Sequence, residues 1–147
     1  MVYTFKIFFD GASRRNPGLA GAGAVVHTNE GKILVTKQFL GLTTNNRAEY
    51  HGIIIGFEKI LSFINSKEID NEIIILVYGD SEIVIKQLKG EYKVRNENLK
   101  PLYEQLQSII DLIRQKIPKL SIKYFHIKRN LNSEADRLAN EAIDENI

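Results

Sequence analysis

The sequence predicts an α/β protein with one mixed five-stranded sheet, in which three antiparallel strands are followed by two parallel ones and helices flank the sheet. Three observations support this prediction. Three β-type segments joined by short links occupy the first 40 residues. Further along, apolar residues at helical spacing alternate with two short apolar runs. The length of 147 residues fits one domain, residues 1–147, that is long enough to bury a core.

The first third of the chain predicts an antiparallel meander. Residues 2–9 alternate in polarity and are rich in aromatic and β-branched side chains, as strands are. A turn containing Asn-Pro-Gly is predicted at 10–18, and a small, glycine-rich strand at 19–27. A third strand is predicted at 32–40, and the short links make these strands antiparallel neighbours.

In the middle of the chain, the spacing of apolar residues changes from strand-like alternation to helical spacing. Residues 47–64 place large apolar side chains at helical spacing, and the Thr-Thr-Asn-Asn segment at 43–46 offers N-cap candidates. The strand predicted at 72–78 contains a continuous apolar run at 73–77, which indicates a central parallel strand buried on both faces. A short helix is predicted at 82–88.

The last third predicts helix, strand and helix. The helix at 99–117 admits Pro101 in its first turn and is ended by Pro118. A strand follows at 120–127, and right-handed crossovers would lay it and the preceding strand parallel to the first one. The last helix, 132–143, opens with Ser-Glu-Ala-Asp, which fits a capping box.

Composition excludes several classes of protein. The sequence has no cysteine, which rules out disulfides, thiolate metal sites and a cysteine nucleophile. No apolar run approaches the roughly 18 residues that a membrane span needs, so no membrane partner is expected. The first ten residues are typical of a strand and not of a signal peptide, so we expect a cytoplasmic protein.

The charge is unevenly distributed. Residues 86–129 hold 11 basic and four acidic side chains, whereas the rest of the chain holds nine basic and 14 acidic ones. This asymmetry suits a polyanionic partner together with a site that concentrates carboxylates, and it equally suits lysines that solubilise a helical surface.

Four carboxylates occupy special positions. Asp10 and Asp80 end predicted strands, and Glu49 and Asp136 lie in the first turns of predicted helices. If the first and fourth strands are parallel neighbours, all four side chains reach the edge where open α/β sheets bind ligands. Each also has a structural alternative, as turn former, dipole partner, N-cap or capping-box residue.

Gathered together, the four acids would repel one another, and divalent cations would resolve that cost. Oxygen ligands without histidine or cysteine favour two Mg²⁺ ions, with Mn²⁺ as a substitute, about 3.5–4 Å apart on a phosphodiester. Gly52 and Gly56 share a helix face with Glu49, which predicts close approach of that helix to the sheet.

Four segments in this order resemble type 1 ribonuclease H over nearly the whole chain. The segments are Asp-Gly at 10–11 through Asn-Pro-Gly at 16–18, Thr-Thr-Asn-Asn-Arg-Ala-Glu at 43–49, Gly-Asp-Ser at 79–81, and Asn-Ser-Glu-Ala-Asp-Arg-Leu-Ala at 132–139. The short stretch at 89–99 is similar to the compact archaeal and plant-type variant, which lacks a basic protrusion. The resemblance implies the ribonuclease H-like fold.

The resemblance also implies a chemistry. It implies Mg²⁺-dependent cleavage of the RNA strand of an RNA–DNA hybrid, which leaves a 3′-hydroxyl and a 5′-phosphate. Asp10 would contact both ions, Glu49 and Asp80 would complete one site, and Asp136 would complete the other. Glu82 stands where glutamine is common in the family, so no base contact is expected from it.

Substrate contacts follow from the same resemblance. The wide, shallow minor groove of a hybrid calls for short polar side chains and backbone amides, which the matching motifs provide. Phosphate contacts would be added by the basic side chains after the short helix, which we call the basic stretch: Lys89, Lys93, Arg95 and Lys100. The predicted substrate-binding residues are Gly11, Asn16, Thr44, Asn45, Asn46, Arg47, Ser81, Lys89, Lys93 and Arg95.

Two further residues compete for a helper role near the scissile phosphate. His126 has the family's spacing to Asp136, but the loop between them is short here, which makes His126 a predicted strand residue. Arg129 in that loop is the preferred helper, and His126 is the alternative.

Other functions stay open at this point. The same fold serves other two-metal phosphoryl-transfer enzymes, such as integrase-like domains, and a binding module without catalysis is a further alternative. Double-stranded RNA is a second possible substrate, and a monomer is expected.

Overall fold

The structure, a computed structural model, describes residues 2–147 and contains one five-stranded sheet with the strand order β3-β2-β1-β4-β5. The strands are β1 Val2–Ser13, β2 Gly18–Thr28, β3 Ile33–Thr43, β4 Glu72–Gly79 and β5 Leu120–His126. The helices are α1 Asn45–Lys67, α2 Glu82–Leu88, α3 Lys100–Lys116 and α4 Ser133–Asp144, with a 3₁₀ turn at Arg129–Leu131.

The pairing confirms the predicted mixed sheet. β1 pairs antiparallel with β2, and β2 pairs antiparallel with β3. β4 pairs parallel with both β1 and β5. The carboxyl ends of β1, β4 and β5 therefore meet at one edge of the sheet, which is where the sequence places Asp10 and Asp80.

Two helical layers cover the sheet unequally. α1 packs on one face, where Phe5, Ile7 and Phe9 of β1 are fully buried. α4 packs on the other face and contacts β1, β2 and β3 but leaves β4 and β5 largely uncovered. The predicted burial of β4 on both faces is therefore wrong, since its residues alternate between buried and half-buried.

Glycines set the distance between helices and sheet. A Cβ on Gly52 would lie 2.5 Å from the Asp10 carbonyl oxygen, and one on Gly56 would lie 3.0 Å from Ile7 Cγ2. On the other face, a Cβ on Gly23 would lie 2.7 Å from the Ala135 carbonyl oxygen of α4. The predicted close approach of α1 to the sheet is confirmed. A glycine, Gly23 of β2, likewise allows α4 to pack closely on the other face.

Three local expectations are corrected. β1 does not end at Asp10, because its pairing with β2 continues to Ser13, and the predicted turn contracts to residues 14–17. α1 begins at Asn45, where the Thr44 side chain caps it, so Glu49 lies in the second turn and not in the first. The predicted capping box is not formed, because Asn132 is the N-cap of α4 and its side chain makes no cap hydrogen bond.

Within residues 2–147, none of the helices has both the length and the apolar character needed to cross a membrane.

Candidate active site

Three of the four acids meet at the carboxyl edge of the sheet. Oxygen atoms of Asp10, Glu49 and Asp80 all lie within 4.8 Å of one another, and these three side chains are called the acid cluster below. Asp10 lies late in β1, Asp80 follows β4 directly, and Glu49 reaches across from α1. The contact of Gly52 with the Asp10 backbone is what brings Glu49 this close.

Asp136 borders the same cleft without joining the acid cluster. It lies in the first turn of α4, as predicted, and its charge contributes to raising the pKa of Asp10. The cleft measures about 440 Å³ and is lined by Asp10, Gly11, Ala12, Ser13, Asn45, Asn46, Glu49, Asp80, Ser81, Arg129 and Asp136. All four predicted acids therefore face one cavity.

Burial makes the acid cluster electrostatically costly. Burial, followed by the charge of Asp80, raises the pKa of Asp10 to about 7. Burial and the charge of Asp10 raise the pKa of Glu49 well above its usual range. The Gly11 amide donates to Asp10 Oδ1 at 2.9 Å, which offsets part of this cost for Asp10.

The cluster fits a hard divalent cation. Its donors are carboxylate oxygens, and Glu49 Oε2 is buried without a hydrogen-bond partner among the described residues. An unpartnered buried carboxylate oxygen is expensive unless a cation compensates it. Carboxylates without sulfur or imidazole donors are the ligands that Mg²⁺ and Mn²⁺ prefer.

The first motif and the start of α1 form the rim of the cleft. Asn16 Oδ1 accepts a hydrogen bond from the Asn45 amide at 3.0 Å, which ties the turn after β1 to the start of α1. Asn45 and Asn46 line the cleft. The Thr44 hydroxyl accepts from the Arg47 amide at 3.3 Å, so its capping role is confirmed.

Arg47 and Ser81 also have structural partners. Arg47 Nε donates to Thr43 Oγ1 at 3.1 Å, and its guanidinium also donates to the Asn98 carbonyl. Ser81 caps α2 and lines the cleft. The N-cap alternative for Asp80 is therefore wrong, because Ser81 occupies that position. The predicted substrate contacts of Thr44 and Ser81 stay predictions.

The structure does not bring the basic stretch into the acid cleft. Lys89 is the C-cap of α2, and Lys93 lines a separate groove with Tyr92 and Tyr103. Arg95 is exposed in the segment before α3. These side chains lie at the surface near α2 and α3. Any contact that they make with a nucleic acid is therefore outside the cavity that the carboxylates line.

Arg129 and His126 take different positions. Arg129 lies in the 3₁₀ turn and lines the cleft with the four acids. His126 is a strand residue, as predicted, although β5 ends at it and not at Ile127. Its Nε2 lies 3.3 Å from the Asp80 carbonyl oxygen. Glu82 is exposed and pairs with Lys86 at 3.0 Å.

Sequence reasoning assigned no role of its own to Asn132. Its side chain is buried and donates from Nδ2 to the Phe9 carbonyl at 2.9 Å and to Asp80 Oδ2 at 3.0 Å. Asn132 opens the fourth motif, four residues before Asp136, which was the one available signal. That signal also suits a helix N-cap, so it did not single out the contact with Asp80.

Comparison with known proteins gives consistent matches. The family model described as "Reverse transcriptase-like" matches residues 8–142. Among solved structures, LC11-RNase H1, isolated from compost by a metagenomic approach, was crystallised in complex with an RNA/DNA hybrid. It is 37% identical to this chain with a TM-score of 0.81, and the match covers 96% of this chain and 97% of that one.

Two further relatives extend the comparison. RNase H1 from the halophilic archaeon Halobacterium salinarum is 33% identical with a TM-score of 0.78, covering 97% of this chain and 98% of that one. The bifunctional protein Rv2228c of Mycobacterium tuberculosis is 39% identical over 137 residues, which are 92% of this chain. This chain spans only 34% of the length of that mycobacterial relative.

Proposed function

Because the chain belongs to the type 1 ribonuclease H family, we propose that it is an endonuclease that hydrolyses the RNA strand of RNA–DNA hybrids and leaves a 3′-hydroxyl and a 5′-phosphate. The observation that carries this proposal is the acid cluster, whose three carboxylates converge on the floor of an open polar cleft. The likeness to LC11-RNase H1, which was crystallised with an RNA/DNA hybrid, supports the choice of substrate.

The four carboxylates are assigned the metal-binding role, with Mg²⁺ as the preferred ion and Mn²⁺ as a substitute. Asp10 is proposed to contact both ions, with Glu49 and Asp80 at one and Asp136 at the other. Two such ions would supply an activated water and stabilise the leaving oxygen. The separation of Asp136 from the acid cluster supports two positions for ions over one.

Arg129 is proposed to contact the phosphate at the cleft, because it lines the same cavity as the acids. His126 is the alternative, but its Nε2 lies beside the Asp80 backbone carbonyl. A larger loss of the cleavage rate in Arg129→Ala than in His126→Ala is expected, and the reverse order would assign the role to His126.

Two regions are proposed to hold the hybrid. The short polar groups at the rim of the cleft, from Gly11, Asn16, Asn45, Asn46 and Ser81, suit 2′-hydroxyls and the minor groove, with Thr44 and Arg47 beside a phosphate of the DNA strand. The exposed basic stretch is proposed to contact phosphates further along the duplex, through Lys89, Lys93, Arg95 and Lys100.

The basic stretch makes a quantitative prediction. Replacing all four of its side chains by alanine should reduce the slope of log binding constant against log salt by up to about one for each lost phosphate contact. Fluorescence anisotropy with a labelled hybrid at several salt concentrations measures this slope. Lys59→Ala, a lysine substitution in α1 outside the basic stretch, is the control. An unchanged slope in the quadruple variant would reject the phosphate contacts.

A substrate panel tests the proposed function. Labelled RNA–DNA hybrid, double-stranded RNA and a DNA duplex with one ribonucleotide are each offered with Mg²⁺, Mn²⁺ or EDTA. We expect hybrid cleavage that requires a divalent ion and is abolished in Asp10→Asn but retained in Asp70→Asn, which changes an exposed acid. Binding of the hybrid without cleavage would favour a non-catalytic binding module instead.

Three further predictions from the sequence stay predictions: activity on double-stranded RNA, a monomeric state and a cytoplasmic location. Residues 1–147 are also proposed to act as a single catalytic domain, because one sheet and the helices packed on it bring all four acids to one cleft. The panel decides the question of double-stranded RNA directly.

A further inference from the structure

A buried amide at the start of α4 makes contacts that the helix does not need. Asn132 is 2% exposed and occupies the N-cap position, yet its side chain donates to the Phe9 carbonyl and to Asp80 Oδ2 instead of capping the helix. We propose that Asn132 is a positioning residue that aligns the Asp80 carboxylate with Asp10 and Asp136 for metal binding. This inference rests on the proposed function.

The backbone of the same residue completes the connection. The Asp136 amide donates to the Asn132 carbonyl at 3.1 Å, so the first turn of α4 is anchored on this residue. On the sheet side, the Phe9 carbonyl that accepts from Asn132 belongs to the residue directly before Asp10. Asn132 therefore joins β1, the end of β4 and α4, the three elements that carry Asp10, Asp80 and Asp136.

The neighbours fix the orientation of the amide. Both the Phe9 carbonyl and the Asp80 carboxylate are acceptors, so the NH₂ group must face them. Asn132 Oδ1 then points away and is buried without a donor among the described residues. An unsatisfied buried carbonyl works against stability, so this arrangement is a poor choice for stability alone. It indicates that the side chain is held for the hydrogen bond to Asp80.

A neutral donor suits this position better than a charged one. A lysine or arginine would also orient Asp80, but its charge would neutralise the negative potential that attracts the cation. An aspartate would have no donor to offer either acceptor once ionised. An amide holds the carboxylate in place and leaves its charge available, which is the role that outer partners of metal ligands fill.

Metal binding to the free protein tests this role apart from catalysis. Asn132→Leu keeps a similar volume and removes the donor. Calorimetric titration with Mn²⁺ should show an affinity lower by about 10- to 100-fold than that of the unmodified chain. With hybrid and limiting Mg²⁺, kcat should fall while KM for the hybrid stays nearly constant. Ser133→Ala, at the adjacent exposed residue, should leave the Mn²⁺ affinity and kcat unchanged.

A second pair of variants keeps the proposal testable if Asn132→Leu does not fold. Asn132→Ser retains one donor and a good N-cap, whereas Asn132→Ala retains neither. We expect Mn²⁺ affinity to fall less in the serine variant than in the alanine variant. Equal affinities in the two, or an unchanged affinity in Asn132→Leu, would overturn the proposal. If affinity depends on Asn132 but the unmodified chain cleaves no hybrid, the proposed function fails and the positioning role stands.

Discussion

Acidic side chains lie in opposite electrostatic surroundings at the two ends of α4. At its start, Asp136 faces the acid cluster, whose members are crowded together and form no ion pair with a basic side chain of residues 2–147. At its end, Glu141, Asp144 and Glu145 pair with basic side chains. We call this group the ion-pair cluster, and its basic members are Arg14, Lys37 and Arg137.

The pKa values follow the same division. A hydrogen bond from Arg137 lowers the pKa of Glu141, whereas burial raises the pKa values of Asp10 and Glu49. The ion-pair cluster is exposed and internally neutralised, so it serves the attachment of α4 to the sheet. The acid cluster is crowded and largely buried, so its negative charge is costly, and a cation from outside would relieve that cost. Carboxylates that are crowded together with raised pKa values therefore mark the candidate functional site.

The largest effect expected is on catalysis. Glu49→Gln and Asp80→Asn each keep the shape of the side chain and remove one ligand charge. Each should lower the rate of hybrid cleavage by more than about 100-fold, since even outer partners of metal ligands are worth 10- to 100-fold. The matched control is Glu141→Gln in the ion-pair cluster, which should leave the rate within about 2-fold. Single-turnover cleavage at saturating Mg²⁺ measures all three, and a similar loss in Glu141→Gln would remove the distinction between the two ends.

The next largest effect is on stability, and its dependence on pH has opposite signs in the acid cluster and the ion-pair cluster. The pKa of Asp10 in the folded protein is raised from 3.8 to about 7. The folded state therefore holds this proton more tightly, and the resulting stabilisation is complete below pH 4 and is lost as the pH rises through about 7. In EDTA, Asp10→Asn should therefore gain in melting temperature relative to the unmodified chain as the pH rises from 5 to 8.

Glu141 should behave in the opposite way. Its pKa is lowered in the folded protein, so its contribution is present above its ordinary value of 4.5 and is lost as the pH falls through its folded value. Glu141→Gln should consequently show no gain in relative melting temperature between pH 5 and 8. Melting curves in EDTA across this range test both variants. Added Mg²⁺ at pH 8 should raise the melting temperatures of the unmodified chain and of Glu141→Gln more than that of Asp10→Asn. A constant difference between Asp10→Asn and the unmodified chain would contradict the assignment.

The sequence predicted the elements better than it predicted their ends. The apolar run at 73–77 predicted β4 as a central parallel strand, which the pairing confirms, although the burial on both faces from which it was argued is wrong. The meeting of Asp10 and Asp80 was predicted only on the condition that β1 and β4 are parallel neighbours, and they are. Asp10-Gly11 is locally a turn signal, but β2 offers hydrogen-bond partners as far as Ser13, so tertiary pairing extended the strand. No local pattern encodes that pairing.

The candidate site was likewise predicted only in part. The convergence of the acids followed from topology, because the ends of parallel strands meet at one edge of a sheet. Asn132 was missed because its side chain reaches Phe9 and Asp80, which are more than 50 residues away along the chain. A helix start in the sequence specifies an N-cap residue but not the direction of its side chain, which depends on what the sheet places next to it.

The smallest effect expected is at the ion-pair cluster itself. Lys37 Nζ lies 2.7 Å from Glu145 and 3.3 Å from Glu141, and these contacts join β3 to the end of α4. Lys37→Met keeps most of the aliphatic stem and removes the charge. Because the pairs are solvent-exposed, the melting temperature should fall only slightly at low salt, and the difference should vanish in 1 M NaCl.

Cleavage kinetics of the same variant give the sharper test. If the two ends of α4 act independently, Lys37→Met should cleave the hybrid at the unmodified rate, because Asp136 is held at the other end through Asn132 and by the contact of α4 with Gly23. A rate that falls as far as in Asp80→Asn would mean that the ion pairs control the position of Asp136 along the whole helix. Contacts at both ends of α4 would then be needed to hold Asp136 in position.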